Sequence, residues 1–242
     1  MYEPQCVTLP DGTHEWRVNG RLHRDDGPAK ILADGGQFWY RDGRLHCDDG
    51  PAIELANGGQ TWYRHGRVHR DDGPAEIWAD GSHEWHLYGK LHREDGPAIV
   101  HANGDVFWYY NDELHCEGGP AIMLANGTKK WYRHGECHRE DGPAIILSDG
   151  HKEWWINNRR HRDDGPAVVR VDGGMVWYRN GNIHRYDGPA VMWADGGQFW
   201  YRYGEFHRDG GPAVALADGT EEYWEHGRQI IKNDHSHPSA RM

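Results

Sequence analysis

The chain has 242 residues with a formal net charge of −11, and 37% of its residues are hydrophobic while 12% are aromatic. No apolar run approaches the roughly 18 residues of a membrane span, and the polar start lacks a signal-peptide core, so we expect a cytoplasmic protein, in the host cytoplasm if it is viral. The negative charge disfavours DNA, RNA and anionic membranes, which proteins reach by neutralising phosphates.

The chain begins with a predicted N-terminal capping strand within residues 1–10, because the VTL stretch at 7–9 can pair ahead of the first turn. Residues 11–230 are predicted to form a single repeat domain of about ten repeats, each 23 residues long and without insertions. The last repeat loses the recurring His and Gly-Pro-Ala, as terminal caps of repeat proteins do. Residues 231–242 are polar, and we expect them to be a disordered tail.

Four sequence features recur at the 23-residue period. A Gly-Pro-Ala triplet recurs from 27–29 to 211–213, and an Asp-Gly or Asn-Gly pair recurs from 11–12 to 218–219. One repeat therefore reads DGxxxWYRxGxLHRxDGPAxxLA. A His and a Trp recur in the same register, and we interpret both series as structural ladders: His23, His46, His69, His92, His115, His138, His161, His184 and His207, with Trp16, Trp39, Trp62, Trp85, Trp108, Trp131, Trp154, Trp177 and Trp200.

Each repeat is predicted to be a β-hairpin. The Asp-Gly or Asn-Gly pair supplies the positive φ angles of a tight turn between an apolar and an aromatic run. We expect the second strand to run from the Trp to the His, and the HRDDG stretch to make the return turn, where Gly allows left-handed geometry. Because an isolated hairpin is unstable in water, we predict an all-β, elongated array of about ten stacked hairpins, a twisted single sheet or solenoid.

The repeat spacing, the Asp-Gly turns and the aromatic-Gly-His order resemble MORN-type repeats over residues 7–230. The adjacent Trp39-Tyr40 and the HRDDGPA segment depart from the usual MORN repeat, so the chain is MORN-like. Tandem WYRxGxLHRxDGPA repeats are also similar to repeat proteins of phages, giant viruses and bacteria, and to a MORN-like antitoxin family. The resemblance implies a β-hairpin array that serves as a scaffold for binding partners.

The nine ladder histidines are not predicted to bind metal. Equivalent positions in consecutive hairpins lie about 9–10 Å apart, whereas ligand bonds to zinc are near 2 Å, so no two of them can share an ion. Within one repeat, the second acid of HRDDG is Asp26 but becomes Gly118 and Gly210 in two other copies. We interpret each His and its neighbouring Asp as hydrogen-bonding groups of the return turn, and we expect no metal and no cofactor.

The sequence does not favour an enzyme. Catalysis needs a unique nucleophile, base and orienting group, whereas almost every polar residue here recurs nine or ten times. Cys47 and Cys116 lie three repeats apart, too far for a disulfide or a catalytic dyad, and Cys137 replaces a recurring Leu as a small core residue. We therefore predict no catalytic residues.

An Arg follows the Trp-Tyr pair in several repeats. Arg beside aromatic rings is typical of single-stranded nucleic-acid binding, because bases stack on the rings and guanidinium contacts phosphate. Strand alternation would instead let each Arg rest over a Trp ring and pair with the abundant acids, and the negative charge favours this interpretation. These arginines are Arg41, Arg64, Arg133, Arg179 and Arg202.

Residues that depart from the repeat are the candidate binding residues. Asp112 and Asn158, for example, replace the Gly that precedes the His by three positions. Exposed Tyr, Trp and Arg often anchor protein interfaces, although drift at a tolerant position explains such departures equally well. The candidates, in repeats four to nine, are Tyr88, Tyr110, Trp155, Arg159, Arg160, Tyr186 and Tyr203.

These observations leave three functional classes. The leading class is a non-catalytic scaffold that binds a protein partner, and its sharpest form is a phage or bacterial inhibitor or antitoxin that sequesters one target. The second is a structural protein that self-assembles into a homo-oligomer, because regular sheet edges favour association. The third is single-stranded nucleic-acid binding along the Arg and aromatic ladders.

Overall fold

The computed structural model describes residues 3–231, which are all β, without a helix. That range consequently holds no helix that could span a membrane. The chain divides into two compact units, Met1–Gly135 and Glu136–Met242, and each is described by itself. The single repeat domain expected over 11–230 stays a prediction, and the predicted tail lies, from residue 232 onward, outside the described residues.

The strands of the first unit are mostly two residues long. They are β1 (Gln5–Thr8), β2 (His14–Val18), β3 (Arg21–Leu22), β4 (Lys30–Ile31), β5 (Gln37–Phe38), β6 (Tyr40–Arg41), β7 (Arg44–Leu45), β8 (Ile53–Glu54), β9 (Gln60–Thr61), β10 (Tyr63–Arg64), β11 (Arg67–Val68), β12 (Glu76–Ile77), β13 (His83–Glu84), β14 (His86–Leu87), β15 (Lys90–Leu91), β16 (Ile99–Val100), β17 (Val106–Phe107), β18 (Tyr109–Tyr110), β19 (Glu113–Leu114), β20 (Ile122–Met123), β21 (Lys129–Lys130) and β22 (Tyr132–Arg133).

The second unit repeats the same pattern and ends in two longer strands. Its strands are β23 (Glu136–Cys137), β24 (Ile145–Ile146), β25 (Lys152–Glu153), β26 (Trp155–Ile156), β27 (Arg159–Arg160), β28 (Val168–Val169), β29 (Met175–Val176), β30 (Tyr178–Arg179), β31 (Asn182–Ile183), β32 (Val191–Met192), β33 (Gln198–Phe199), β34 (Tyr201–Arg202), β35 (Glu205–Phe206), β36 (Val214–Ala215), β37 (Glu221–Glu225) and β38 (Arg228–Ile230).

Each unit contains one long antiparallel sheet in which hairpins pair in chain order. In the first unit the order is β1-β2-β4-β5-β8-β9-β12-β13-β16-β17-β20-β21. In the second it is β24-β25-β28-β29-β32-β33-β36-β37. The predicted all-β array of hairpin repeats is confirmed. The leading strand predicted at 7–9 lies at Gln5–Thr8, where it pairs with β2.

The expectation of one strand from the Trp to the His is wrong, because a turn lies between the two residues, and in most repeats the preceding strand also ends before the Trp. In the third repeat, Trp62 belongs to no strand, and its N–H donates to the carbonyl of Ala75 at 2.8 Å. Beyond it, β10 and β11 form a separate two-stranded sheet. Ala75 is fully buried, and a methyl group is small enough to let the two chain segments approach. Each repeat therefore contains two hairpins rather than one.

The two hairpins use different turns. At Asn57-Gly58 the positive φ falls on Gly58 alone, at 89°, and the Asn57 side chain accepts the Gly59 N–H at 3.0 Å. At His65-Gly66 both residues have positive φ, 51° and 80°, as a type I′ turn requires. The paired positive φ angles expected at the Asp-Gly and Asn-Gly pairs are thus found in the second hairpin.

The return loop is held by an Arg that lies between a Trp and a Gly. The guanidinium of Arg93 lies 4.0 Å from the Trp85 ring centroid, and its Nε donates to Asp95 at 2.8 Å. Gly96 has no left-handed φ, contrary to the expectation, but a Cβ there would lie 2.8 Å from the Arg93 Cζ. Gly is needed for this close approach. The same Arg–Trp contact joins Arg24 to Trp16 and Arg70 to Trp62 in the first unit, and Arg162 to Trp154, Arg185 to Trp177 and Arg208 to Trp200 in the second.

Apolar side chains of the long sheet form the core between neighbouring hairpins. In the second unit, Val168, Val176 and Val191 are buried together. Partly buried rings and aliphatic groups pack on them, among them Tyr178 from the short hairpin. The short hairpin therefore covers one face of the long sheet.

Gly96→Ala is expected to destabilise the fold by about 1 kcal/mol, because the new methyl group displaces Arg93 from Trp85 and the cation–π contact is lost. The matched control is Gly50→Ala, where Cys47 stands in place of the Arg and a Cβ meets nothing within 4 Å. The control is expected to change stability by no more than about 0.5 kcal/mol. Urea unfolding of both variants measures the difference, and equal effects would contradict the steric role of this Gly.

Candidate functional site

Every ladder His links its own repeat to the turn of the next repeat. His69 is buried, and its Nδ1 accepts the N–H of Tyr88 at 3.2 Å, while its Nε2 lies 3.1 Å from Asp71. The partner is therefore the next type I′ turn, which lies 19 residues ahead, as well as the acid of the return loop. The same backbone bond joins His23 to Asp42, His46 to His65, His92 to Asn111 and His115 to His134 in the first unit, and His138 to Asn157, His161 to Asn180, His184 to Tyr203 and His207 to His226 in the second.

Burial keeps several ladder imidazoles neutral. Desolvation is the largest cause that lowers the pKa of His46, His69 and His115 in the first unit and of His184 in the second. A neutral ring suits the hydrogen bond, because Nδ1 accepts the backbone N–H only when it carries no proton.

The turn residue held by the ladder His presents its side chain outward. The Tyr88 ring stacks on His69 at 4.2 Å between centroids, and the Tyr203 ring lies 4.4 Å from His184. These tyrosines are nevertheless 55% and 63% exposed. Both have left-handed φ angles, 51° and 52°, which are unusual for a bulky residue. The side chain at this turn position therefore contacts the ladder His on one side and is exposed to solvent on the other.

Tyr110 and Tyr186 lie beside these turns. Tyr110 is 39% exposed, and its ring centroid is 4.6 Å from that of His92. Tyr186 is 55% exposed, and its hydroxyl is hydrogen-bonded to the hydroxyl of Tyr203. Four of the seven candidate binding residues are thus exposed tyrosines, two in each unit.

Trp155 and Arg160 are half-buried and make internal contacts. The Trp155 Nε1 donates to Glu153 at 2.7 Å, and Arg160 donates to the same carboxylate at 3.1 Å. The Arg160 guanidinium also lies 5.0 Å from the Trp155 ring centroid. Arg159, which precedes it in β27, is exposed. This cluster neutralises a half-buried acid rather than presenting its rings to a partner.

Asp112 and Asn158 replace glycine in the type I′ turn without losing the turn. Their φ angles are 72° and 59°, and their N–H groups donate to Leu91 and Cys137, respectively. Each side chain also accepts a hydrogen bond, from the N–H of Leu91 at 2.8 Å and of Cys137 at 2.7 Å. Asp and Asn tolerate this conformation better than other non-glycine residues, so these departures are explained locally.

Arginines that follow the Trp-Tyr pairs form ion pairs with acids of the return loops. Arg41 pairs with Asp48 at 3.0 Å and Arg64 with Asp71 at 2.9 Å. The rings are covered instead by the Arg that follows each ladder His. The expected cation–π contact therefore belongs to a different Arg series, because the strand breaks at the Trp and its alternation does not continue. Arg70 on Trp62, at 4.1 Å, is an example.

Acidic clefts separate consecutive return loops. One cleft of 620 Å³ in the first unit is lined by Glu94, Asp95 and Glu117, together with Tyr110 and His134. Glu94 and Asp95 are 79% and 85% exposed, and the hydrogen bond from the neighbouring Arg lowers the pKa of Asp95. Clefts of 590 Å³ in the first unit and 680 Å³ in the second are also lined by more acids than arginines, whereas one of 760 Å³ in the second unit is lined by three Asp and three Arg. The geometry suits a cationic side chain flanked by an aromatic ring.

Cys6, Cys47, Cys116 and Cys137, all within the described residues, form no disulfide, and Cys137 is buried in place of the recurring Leu. Burial raises the pKa of the Cys116 thiol, which stands where most repeats place the Arg on the Trp. A raised pKa disfavours the thiolate that a reactive cysteine needs.

Glu76, Glu84 and His86 form a group whose ligand atoms lie within 4.8 Å of one another. All three are half-buried, and desolvation raises the pKa of Glu76. This group was not predicted from the sequence, because His86 lies outside the His ladder. The available signal was Glu76 itself, which stands at a position that holds Ile or Val in most other repeats.

The chain matches no protein-family model and no curated protein. The resemblance to MORN-type repeats therefore stays a prediction from the repeat pattern, and the geometry above is the basis for a function.

The ladder predicts that the fold loses stability in mild acid. A His whose pKa is lowered by folding stabilises the native state fully above its unfolded pKa of about 6.5, and this contribution is lost as the pH falls through the folded pKa. Urea unfolding from pH 7.5 to 5.5 is expected to show this loss. His69→Gln should flatten the pH dependence, whereas His101→Gln, at an exposed position, should leave it unchanged. Equal profiles for wild type and His69→Gln would contradict this role.

Proposed function

We propose that the protein is a non-catalytic scaffold that binds a protein partner with a basic surface. The observation that carries the proposal is the turn position above each ladder His. Its backbone is the same in every repeat, whereas its side chain varies among Asp, Asn, His and Tyr. Tyr88 and Tyr203 adopt this conformation against the preference of a bulky residue, a form of strain that clusters at functional sites.

Electrostatics specifies the kind of partner. Each return loop of the form HRDDG or HREDG carries two acids and one Arg, and that Arg contacts a Trp ring and pairs with one of the acids. Asp71 and Asp72, for example, are 60% and 83% exposed. The clefts between these loops therefore suit Lys or Arg side chains of the partner, and the neighbouring Tyr rings add contact area.

A phage or bacterial inhibitor or antitoxin is the specific form of this proposal, and it acts in the cytoplasm by sequestering one target. The acidic surface and the resemblance to MORN-like antitoxins support it. Steering by opposite charge accelerates association with a basic target, which favours a protein whose task is to capture that target quickly.

Single-stranded nucleic acid is a weaker candidate. Most of the ladder Trp rings carry an Arg on one face, and the Arg41 and Arg64 guanidinium groups pair with acids. Both the stacking surfaces and the cations that such a ligand needs are therefore occupied.

Tyr88→Asn and Tyr203→Asn, made together, are expected to abolish capture of the partner while leaving the fold intact. Asn occupies the same turn position at Asn111 and Asn180, and it suits a left-handed φ better than Tyr. Stability should therefore change by less than about 1 kcal/mol, although binding falls by at least about tenfold, as for the loss of interface anchors. Tagged wild-type and variant proteins are compared by quantitative mass spectrometry of material captured from a bacterial lysate.

His65→Asn is the matched control, since it makes the same kind of change at a turn position that does not hold Tyr, and it should retain the partner. Light scattering and a low-salt gel shift with single-stranded RNA test the other classes. The proposal fails if no stoichiometric protein depends on the two tyrosines, or if the pure protein instead self-assembles or shifts RNA.

A further inference from the structure

Two glutamates face each other inside the first unit. Glu76 and Glu84 are directly opposite partners in the β12–β13 pair. Directly opposed like charges destabilise a sheet, and half-burial strengthens their repulsion. His86 contacts one of them, since its Nε2 lies 2.8 Å from the Glu84 Oε2. A cation between the Glu76 and Glu84 carboxylates would therefore stabilise the fold.

In several other repeats these positions carry no pair of acids. In the preceding repeat they hold Ile53, Thr61 and Tyr63, and four repeats later they hold residues of the second unit's core. Those residues are Val168, Val176 and Tyr178. The register thus places two carboxylates and an imidazole where other repeats build their apolar core.

Two other acids in this row, Glu15 and Glu153, have cations beside them. Glu15 is buried, and it pairs with Arg17 at 2.6 Å and with Lys30 at 3.7 Å. The residues at the positions of Arg17 and Lys30 around Glu84 are His86 and Ile99. Glu84 therefore has one imidazole where Glu15 has two permanent cations, although it also faces a second carboxylate.

Glu153 stands at the same position in the second unit and is neutralised by Arg160 at 3.1 Å. The residue equivalent to Arg160 beside Glu84 is Leu91. The charged groups that act on Glu76 are His86 and Glu84. Two acids thus share a single imidazole.

His86 also has unused coordination capacity. Its Nδ1 is buried without a hydrogen-bond partner, one of two such side-chain atoms among residues 3–231. A buried polar atom without a partner is costly, and native structures seldom leave one. The imidazole is therefore not fully satisfied by the protein groups around it.

We propose that Glu76, Glu84 and His86 form a binding site for a divalent transition-metal ion of the zinc class. Carboxylate oxygen and imidazole nitrogen are ligands that Zn²⁺ accepts, at about 2.0–2.2 Å. Ligand atoms around such an ion are roughly 3.3–3.6 Å apart, so side-chain rotations of about 1 Å bring the three residues together. The ion replaces repulsion between the two carboxylates with attraction to both, and a water completes the coordination.

The test uses the full chain after removal of metal with a chelator, and ZnCl₂ as the probe. Calorimetric titration is expected to show that one Zn²⁺ binds per chain. Thermal unfolding is expected to show that this ion raises the melting temperature. Glu76→Gln should weaken Zn²⁺ binding by at least about tenfold, because it removes a charged ligand while keeping its size.

The matched variant is Glu76→Ile, Glu84→Thr and His86→Tyr, which restores the residues of the preceding repeat. It is expected to fold, to melt at a higher temperature than the metal-free wild type, and to lose the Zn²⁺ equivalent. His134→Asn, which changes an exposed His outside the site, should keep that equivalent. Because the chain has 19 His, zinc bound equally by wild type and the triple variant would assign the ion to other sites and overturn the proposal.

Discussion

The hydrogen bond from a turn N–H to the Nδ1 of the preceding ladder His is the interaction on which each repeat depends. It joins one repeat to the next: the Tyr88 N–H, for example, donates to the His69 Nδ1 at 3.2 Å. An isolated two-stranded hairpin is marginal in water, so the short hairpin needs such a contact to hold its left-handed turn. The buried imidazole provides it only in the neutral form, because a protonated ring has no acceptor.

The rest of the repeat is built by close approach of small and large residues. The buried Ala is small enough for the Trp N–H to reach the carbonyl of that Ala. The Gly lets an Arg lie against the Trp ring, as Arg93 does on Trp85. A methyl group added at Gly96 would displace the Arg93 guanidinium. The turn side chain and the return-loop acids also make contacts inside the repeat, but they stay exposed on their outer side, where a partner can reach them.

Departures from the repeat fall into distinct physical groups. Asp112 and Asn158 satisfy their turn through local hydrogen bonds, and Trp155 with Arg160 neutralises Glu153. Tyr88 and Tyr203 lack such an explanation, because their rings are exposed and their φ angles are unfavourable. Comparison among repeats therefore separates the two groups: a non-consensus residue whose cost is not offset by local contacts is a candidate for function.

The sequence by itself determined the period, the all-β class and the residues of the His and Trp ladders, because a local turn signal and an apolar pattern recur in every repeat. It also predicted four exposed tyrosines as candidates. Only the tertiary structure decided that the strand breaks at the Trp, that the Arg after the ladder His covers the ring, and that Glu76 faces Glu84. These features depend on cross-strand register and on contacts between repeats, and spacing along one chain specifies neither the direction of an N–H nor the partner across a sheet.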